Sequence, residues 1–394
     1  MSEPIVEKLA AVDVTEADLI WLQAFRLGKL PGIPGLRQFH DRFSDRIDRY
    51  VLRTQEGLQA VFEVVNTPLH FGPRSVLPAA YISSIACLPA SRGRGYAAAG
   101  LKHILAELRD AGKVFTTLCP FDFAFYRRMG WEWLGPATCY KAPSHLLPVA
   151  SETAAVRLAR IIEDRPAIIK TYEQFARRYR GMIVRDDRAW SYVLEDRDDE
   201  ATYAYLFERE GVVEGYLIMR GGSAEETSIP EFIAGTPAAQ RAFLGLLRRH
   251  EMQTRKFSWE APPDDGLWSQ FHHKELETTL ATFAQGRVVD VPAALRAWRP
   301  HPDARGSFVV SVRDEFAPWN TGRWNVSFES GEVSVSASGQ EPAVEMDIQA
   351  FTQAFAGVLT PSVLRTQERI VVHDERGLHA LGGLVAGPPF WMVS

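Results

Sequence analysis

Cysteine is scarce: Cys87, Cys119 and Cys139 are the only three in 394 residues. The number is odd and no C-x-x-C spacing occurs, so the sequence encodes neither a disulfide framework nor a zinc site. A reducing, cytoplasmic setting is expected. Long apolar runs are missing too, and residues 1–11 carry Glu3 and Glu7 where a signal sequence would be apolar, so no signal or membrane span is expected. Nor is there an excess of one charge. The 44 basic and 49 acidic residues leave −5, which gives no general attraction to nucleic acid. Low-complexity tracts and short-period repeats are also absent. With 46% hydrophobic and 24% charged residues, the chain reads as a globular protein of two to three domains. Through His145, 17 basic residues face 14 acidic ones, a balance that suits a phosphate-bearing cofactor in that part.

The hydrophobic spacing gives the organisation. Thr15 as an N-cap, with Leu19, Leu22 and Phe25 behind it, predicts a first helix, and Leu36, Phe39, Phe43 and Ile47 predict a second. A hairpin is expected around residues 54–57, then a long apolar strand over 79–88 that Pro89 ends. A glycine-rich turn at 91–95 opens a helix carrying Leu101, Ile104, Leu105 and Leu108, closed by Gly112. Residues 114–118 read as a strand, 123–129 as a short helix and 131–134 as a last strand. The prolines of 143–148 suggest a linker. From there the order of elements repeats without the glycine turn, with a hairpin around Glu210-Gly211. Past Arg287 it changes to a helix at 291–295, alternating strands and a helix at 348–359. The domains expected are 1–145, 146–288 and 289–394.

The motif with chemistry in it is Arg92-Gly93-Arg94-Gly95-Tyr96-Ala97, after a strand and before a helix. Such a turn directs backbone N–H groups and the positive end of a helix dipole at one point, as a pyrophosphate requires. Small residues let the oxygens approach, and Arg92 and Arg94 add charge-assisted bonds. An ordinary basic turn capping a helix would carry the same residues, and a six-residue glycine pattern alone does not separate the two.

In this context the chain resembles the GCN5-related N-acetyltransferases (GNAT), whose Arg/Gln-x-x-Gly-x-Gly/Ala signature is met by Arg92, Gly95 and Ala97. Leu118-Cys119-Pro120-Phe121, followed by Phe125-Tyr126-Arg127-Arg128-Met129-Gly130-Trp131, is similar to one branch, the enhanced intracellular survival (Eis) proteins. Residues 290–295 resemble that family's junction into a sterol-carrier-like third domain, and Glu345-Met346-Asp347 a later piece of it. The resemblance implies an α/β and α+β chain: tandem acetyltransferase-fold domains, the second without a cofactor site, then a sterol-carrier-protein-like domain.

The resemblance further implies acetyl-CoA as donor, a primary amine of a small molecule as acceptor and direct transfer in a ternary complex. Ile85, Ala86 and Cys87 would pair with the pantetheine arm. Arg92, Gly93, Arg94, Gly95, Tyr96, Ala97 and Ala98 would hold the phosphates, and Phe121 would also contact the cofactor. Tyr126 would be the general acid. The terminal carboxylate, here that of Ser394, would be the base, delivered by an apolar tail that reaches the first domain. A homo-oligomer, a hexamer, is implied as well. The family often carries another basic residue at Gly93 and commonly ends in an aromatic one.

Other residues read as structural. Cys87, on an apolar strand with no histidine nearby, is an inert thiol rather than a nucleophile. His272-His273 lacks metal-ligand spacing, His373 and His379 suit surface or core positions, and no metal is expected. Trp21, Phe25, Phe39 and Phe43 read as core. Polyamines or aminoglycosides, a protein lysine or N-terminus, and a non-enzymatic lipid-binding or scaffold role all remain open at this level.

Overall fold

Strand Gly57–Asn66 is buried without a break from Leu58 to Val64, the mark of a strand covered on both faces. In the computed structural model, which describes residues 4–25, 42–196, 201–271 and 275–392, it lies inside a seven-stranded sheet. The strand order is Ile5–Lys8, Ile47–Thr54, Gly57–Asn66, Ala79–Cys87, Phe115–Leu118, Gln285–Val288, Glu132–Trp133. Only Ala79–Cys87 and Phe115–Leu118 run parallel, joined by helix Tyr96–Asp110 as a crossover. Leu101, Ile104, Leu105 and Leu108 of that helix pack on Ala60, Phe62 and Val64. The approach is close enough that a methyl at Gly100 would overlap the Phe62 ring. Helix Val14–Phe25 packs Ala17 and Ile20 against Val51, Leu58 and Val61.

The chain falls into two compact units, residues 1–69, 75–134 and 284–387 forming the first. Its second half is a five-stranded sheet in the order Glu332–Ala337, Gly322–Glu329, Gly306–Arg313, Val344–Asp347, Ile370–Val372. Helices Val291–Ala297, Ile348–Phe355, Pro361–Thr366 and Glu375–Val385 complete it. A buried ion pair joins the halves. Arg287, on the inserted strand, is 0% exposed and bonds Asp314, which also accepts from Asn320 Nδ2 at 2.9 Å and Ala317 N at 3.0 Å. The Arg287 guanidinium sits 5.4 Å from the Trp131 ring and fills the space a side chain at Gly130 would need.

In the second unit, Val156–Leu158, Thr202–Arg209, Val212–Arg220 and Glu231–Ala234 form one sheet. Glu226–Ile229, Lys256–Ala261, Ala137–Pro143 and Glu277–Ala281 form another. The Glu210-Gly211 hairpin turn has φ 52° and 77°, as its two-residue loop requires. The tail, expected to reach the first domain, instead belongs to this unit as far as Met392. Arg180 N donates to Pro389 O at 3.0 Å, Trp391 N donates to Arg180 O at 2.7 Å, and Trp391 packs on Phe175 and Tyr179.

Three local expectations need correction or fall outside the structure. Ile47 begins a strand, not the end of a helix, because it pairs with Val65; Leu36 and Phe39 lie outside the described residues. Residues 143–148 are not a loose linker. Ser144 Oγ donates to Thr254 O at 2.5 Å and Leu147 is buried, so the prolines sit in packed backbone. The helix expected over 123–129 spans Phe123–Arg127.

Asp314→Ala would strand a fully buried guanidinium, which costs about 3–5 kcal/mol. The urea unfolding transition should move to lower concentration by a corresponding amount. A shift under about 1 kcal/mol would mean that Arg287 is neutralised in another way.

Candidate active site

The parallel ladder between Ala79–Cys87 and Phe115–Leu118 covers three positions, Ala79 to Tyr81, and stops. Beyond it, residues 82–87 stay paired only with Gly57–Asn66, and that pairing shifts by one residue between Val61 and Glu63. The extra residue falls at Ser84, whose φ is 51°. A bulge of this kind bends its strand and sharpens the twist, and it falls past the last rung to Phe115–Leu118. Tyr81 and Cys119 face each other where the strands part, and burial together with Cys119 pushes the Tyr81 phenol well above its usual range.

The turn after this strand has the conformation that its glycines allow. Gly93 and Gly95 have φ 81° and 80°, and no atom lies within 4 Å of where a Cβ would stand on either. Arg92 and Arg94 are exposed, and Arg94 Nη1 lies 3.3 Å from Glu56 Oε2 in a surface pair worth little in solution. Gly95 is the N-cap of Tyr96–Asp110 and supplies no capping side chain, so nothing of the turn covers the first N–H groups of a fifteen-residue helix. An uncapped helix N-terminus flanked by two exposed arginines fits a pyrophosphate. Tyr96, Ala97 and Ala98 are half-buried along the first turn.

Helix Phe123–Arg127 begins at Asp122, whose carboxylate accepts from Phe125 N at 2.8 Å. It carries Tyr126, 3% exposed, among Phe121 at 5.6 Å and Phe125 at 5.0 Å between ring centroids. Phe121 itself is 77% exposed beside an open cavity of about 590 Å³ that Phe125, Arg127 and Arg128 also line. Burial, and to a lesser degree the neighbouring Cys87 thiol, hold the Tyr126 phenol well above its ordinary value. Cys87 is pushed up in turn by burial, with the Arg92 guanidinium opposing. The structure therefore brings Tyr126, Cys87 and Arg92 into one electrostatic neighbourhood, with Ile85 and Ala86 on the same strand end. The raised Cys87 value favours the protonated thiol, as an inert cysteine would have it. Ser394 and His272-His273 lie outside the described residues.

Sequence reasoning missed two features that shape the site. One is the left-handed Ser84, which looks like any strand residue. The other is a buried trio in which Arg49 bonds Asp18 at 2.9 Å and lies 3.4 Å from Glu63; its signal is a carboxylate within the apolar run 58–65. His373 contacts Glu345 at 2.9 Å. Among the described residues no group of three or more His, Cys, Asp or Glu is placed to hold a metal ion, and no helix is long and apolar enough to cross a membrane.

Residues 6–134 and 181–289 each match a model of the acetyltransferase (GNAT) domain, and residues 291–393 match the sterol carrier protein domain. The chain belongs to the GCN5-related N-acetyltransferase superfamily. Among curated relatives of this acetyltransferase, the N-acetyltransferase Eis of Mycobacterium tuberculosis is 26% identical over 344 residues, 79% of each chain. An uncharacterized N-acetyltransferase of Streptomyces avermitilis is 27% identical over 279 residues, 64% of this chain and 65% of the relative. The fold is shared with a GCN5-related N-acetyltransferase from Anabaena variabilis, at TM-score 0.88, 19% identity and 99% of both chains. It is also shared with Eis1 from Mycobacterium abscessus, at TM-score 0.78, 19% identity and 100% of both chains.

In the second GNAT domain the helix in the corresponding place, Pro237–Arg248, is closed at its start. Thr236 Oγ1 accepts from Ala239 N, Pro237 takes the first position, and the Glu214 carboxylate accepts from Thr236 Oγ1 at 2.7 Å. A carboxylate at that spot repels a phosphate.

Because the folded state raises the Tyr126 pKa, its protonated form adds stability that is complete below the unfolded value of about 10 and is lost as pH rises through the folded one. Difference titration of the chain against Tyr126→Phe should show no tyrosinate from this residue up to about pH 11. A missing step near pH 10 in the variant would contradict the burial.

Proposed function

We propose that this enzyme uses acetyl-CoA to acetylate a primary amine of a small acceptor, polyamine or aminoglycoside-like, by direct transfer in a ternary complex. The observation that carries the reading is the strand ladder that stops at Tyr81 and leaves residues 85–87 beside an uncapped helix N-terminus and a buried tyrosine. A peptide-like pantetheine arm can add to such an edge as a strand would. Ile85, Ala86 and Cys87 then pair with it, residues 92–98 hold the phosphates, and Phe121 covers the exposed side.

The acceptor nitrogen attacks the thioester carbonyl carbon, the C–S bond breaks and CoA leaves as a thiolate. Tyr126 donates to that sulfur as charge develops. The phenol hands its proton to the thiolate and is reprotonated from solvent once the products leave, while the amine's own proton goes to a separate base. The Ser394 carboxylate is our candidate for taking that proton, through a water or in a desolvated position, since a terminal carboxyl near ~3.5 is otherwise a weak base. We assign three domains to the same reading, with the expected boundaries at 145/146 and 288/289 moved because Ala137–Pro143 pairs in the second unit and Gln285–Val288 in the first sheet, and with them a cytoplasmic location and a homo-oligomeric, hexameric state.

Acetyl-CoA at a hundredfold over its Kd should stabilise the protein by about 2.7 kcal/mol, seen as a higher melting temperature, and Arg92→Glu should abolish the shift. Thiol release is then followed against polyamines, aminoglycosides, lysine peptides and arylamines. No shift up to millimolar acetyl-CoA overturns the reading, and turnover confined to lysine peptides moves the acceptor to proteins.

Extending the chain by a few residues past Ser394 displaces the terminal carboxylate without changing a side chain. A kcat loss of roughly 10² to 10⁴ with acetyl-CoA binding retained is expected. Full kcat at every pH would remove Ser394 from the mechanism.

A further inference from the structure

A helix of five residues cannot sustain itself, and its last carbonyls have no partners within it. The helix that carries Tyr126 is this short, so its position depends on what holds its ends. Among the described residues, the side chains that grip its backbone, apart from the Asp122 cap, come from beyond residue 284. Gln285 Nε2 donates to Phe123 O at 3.1 Å at the start. At the end, Gln349 Nε2 donates to Arg127 O at 2.9 Å and Arg287 Nη1 donates to Met129 O. Glu132 ties Arg127, at 2.8 Å, to Arg369, at 3.1 Å.

Gln349 and Arg369 lie within the part that matches the sterol carrier protein domain. That domain's own interior is filled, with Phe308, Val310, Val326, Phe328, Leu381 and Leu384 all buried. We propose that the sterol-carrier domain acts as a clamp on the Tyr126 helix, with Gln349 its chief positioning residue. The link to catalysis rests on Tyr126 as proton donor; the clamp itself does not. Gln349 touches no reacting atom. It adds a second donor, beside Gly130 N at 3.0 Å, to the carbonyl one residue past Tyr126, and through that helps set the direction of the phenol.

Gln349→Leu removes the donor at a half-buried position and leaves a slightly shorter apolar side chain. A single hydrogen bond of ordinary strength corresponds to a kcat loss of about 3- to 10-fold, with the KM for acetyl-CoA and the acetyl-CoA melting shift unchanged. Gln349→Lys, whose longer, flexible side chain returns a donor within reach of the same carbonyl, should recover most of it. In a Tyr126→Phe background, already about 10²-fold down, Gln349→Leu should change kcat by less than twofold, since no hydroxyl remains to be aimed. Equal losses in both backgrounds, or none in the parent, overturn the proposal.

Amide hydrogen exchange across residues 123–131 tests the clamp without any substrate. It should quicken in Gln349→Leu and return with Gln349→Lys. Unchanged exchange overturns the clamp, whereas quickened exchange in a protein that binds no acetyl-CoA leaves the clamp standing and removes the acetyl-transfer reading instead.

Discussion

Two parallel strands that part after three rungs impose the condition to which the rest of the site answers. Hydrogen bonds lost along residues 82–87 would be costly inside a sheet, so the parting has to be held in place from both sides. On one side, the left-handed Ser84 bends the strand while it stays paired with Gly57–Asn66. On the other, Phe115–Leu118 is held by Gln285–Val288, whose pairing runs from Leu118 to Phe115. The end of the parallel ladder at Tyr81 is therefore set by the sheet itself.

The two GNAT domains differ in how their corresponding helices begin. Each has a helix following a strand, and each helix starts in a tight turn. In the first, Gly93 and Gly95 leave that start bare; in the second, Thr236, Pro237 and Glu214 fill it. The fold does not determine which helix can meet a phosphate. Two or three side chains at its first turn do.

Much of this could be read from the chain, because the signals are local. Gly93, Gly95 and the apolar spacing of Leu101, Ile104, Leu105 and Leu108 lie within one stretch, and the Tyr126 motif spans seven residues. What could not be read depends on distant partners or on conformation. Ile47 matched helical spacing, yet its pairing with Val65 put it in a strand. The prolines of 143–148 looked like punctuation until Thr254 and the core were in place around them. Nothing near Ser84 marks a bulge. The reach of Gln285 and Arg287 to a helix some 160 residues earlier follows only from the inserted strand, although an arginine beside Val288-Val289 is a visible oddity.

That inserted strand also governs when the protein can fold. The first sheet gains Gln285–Val288 between Phe115–Leu118 and Glu132–Trp133 only after about 290 residues have left the ribosome. Until then Phe115–Leu118 is an open edge, the kind of surface on which nascent chains pair wrongly. N-terminal pieces that stop near the end of the first domain would share the problem permanently. The acetyltransferase sheet is complete only once residues 285–288 have been made.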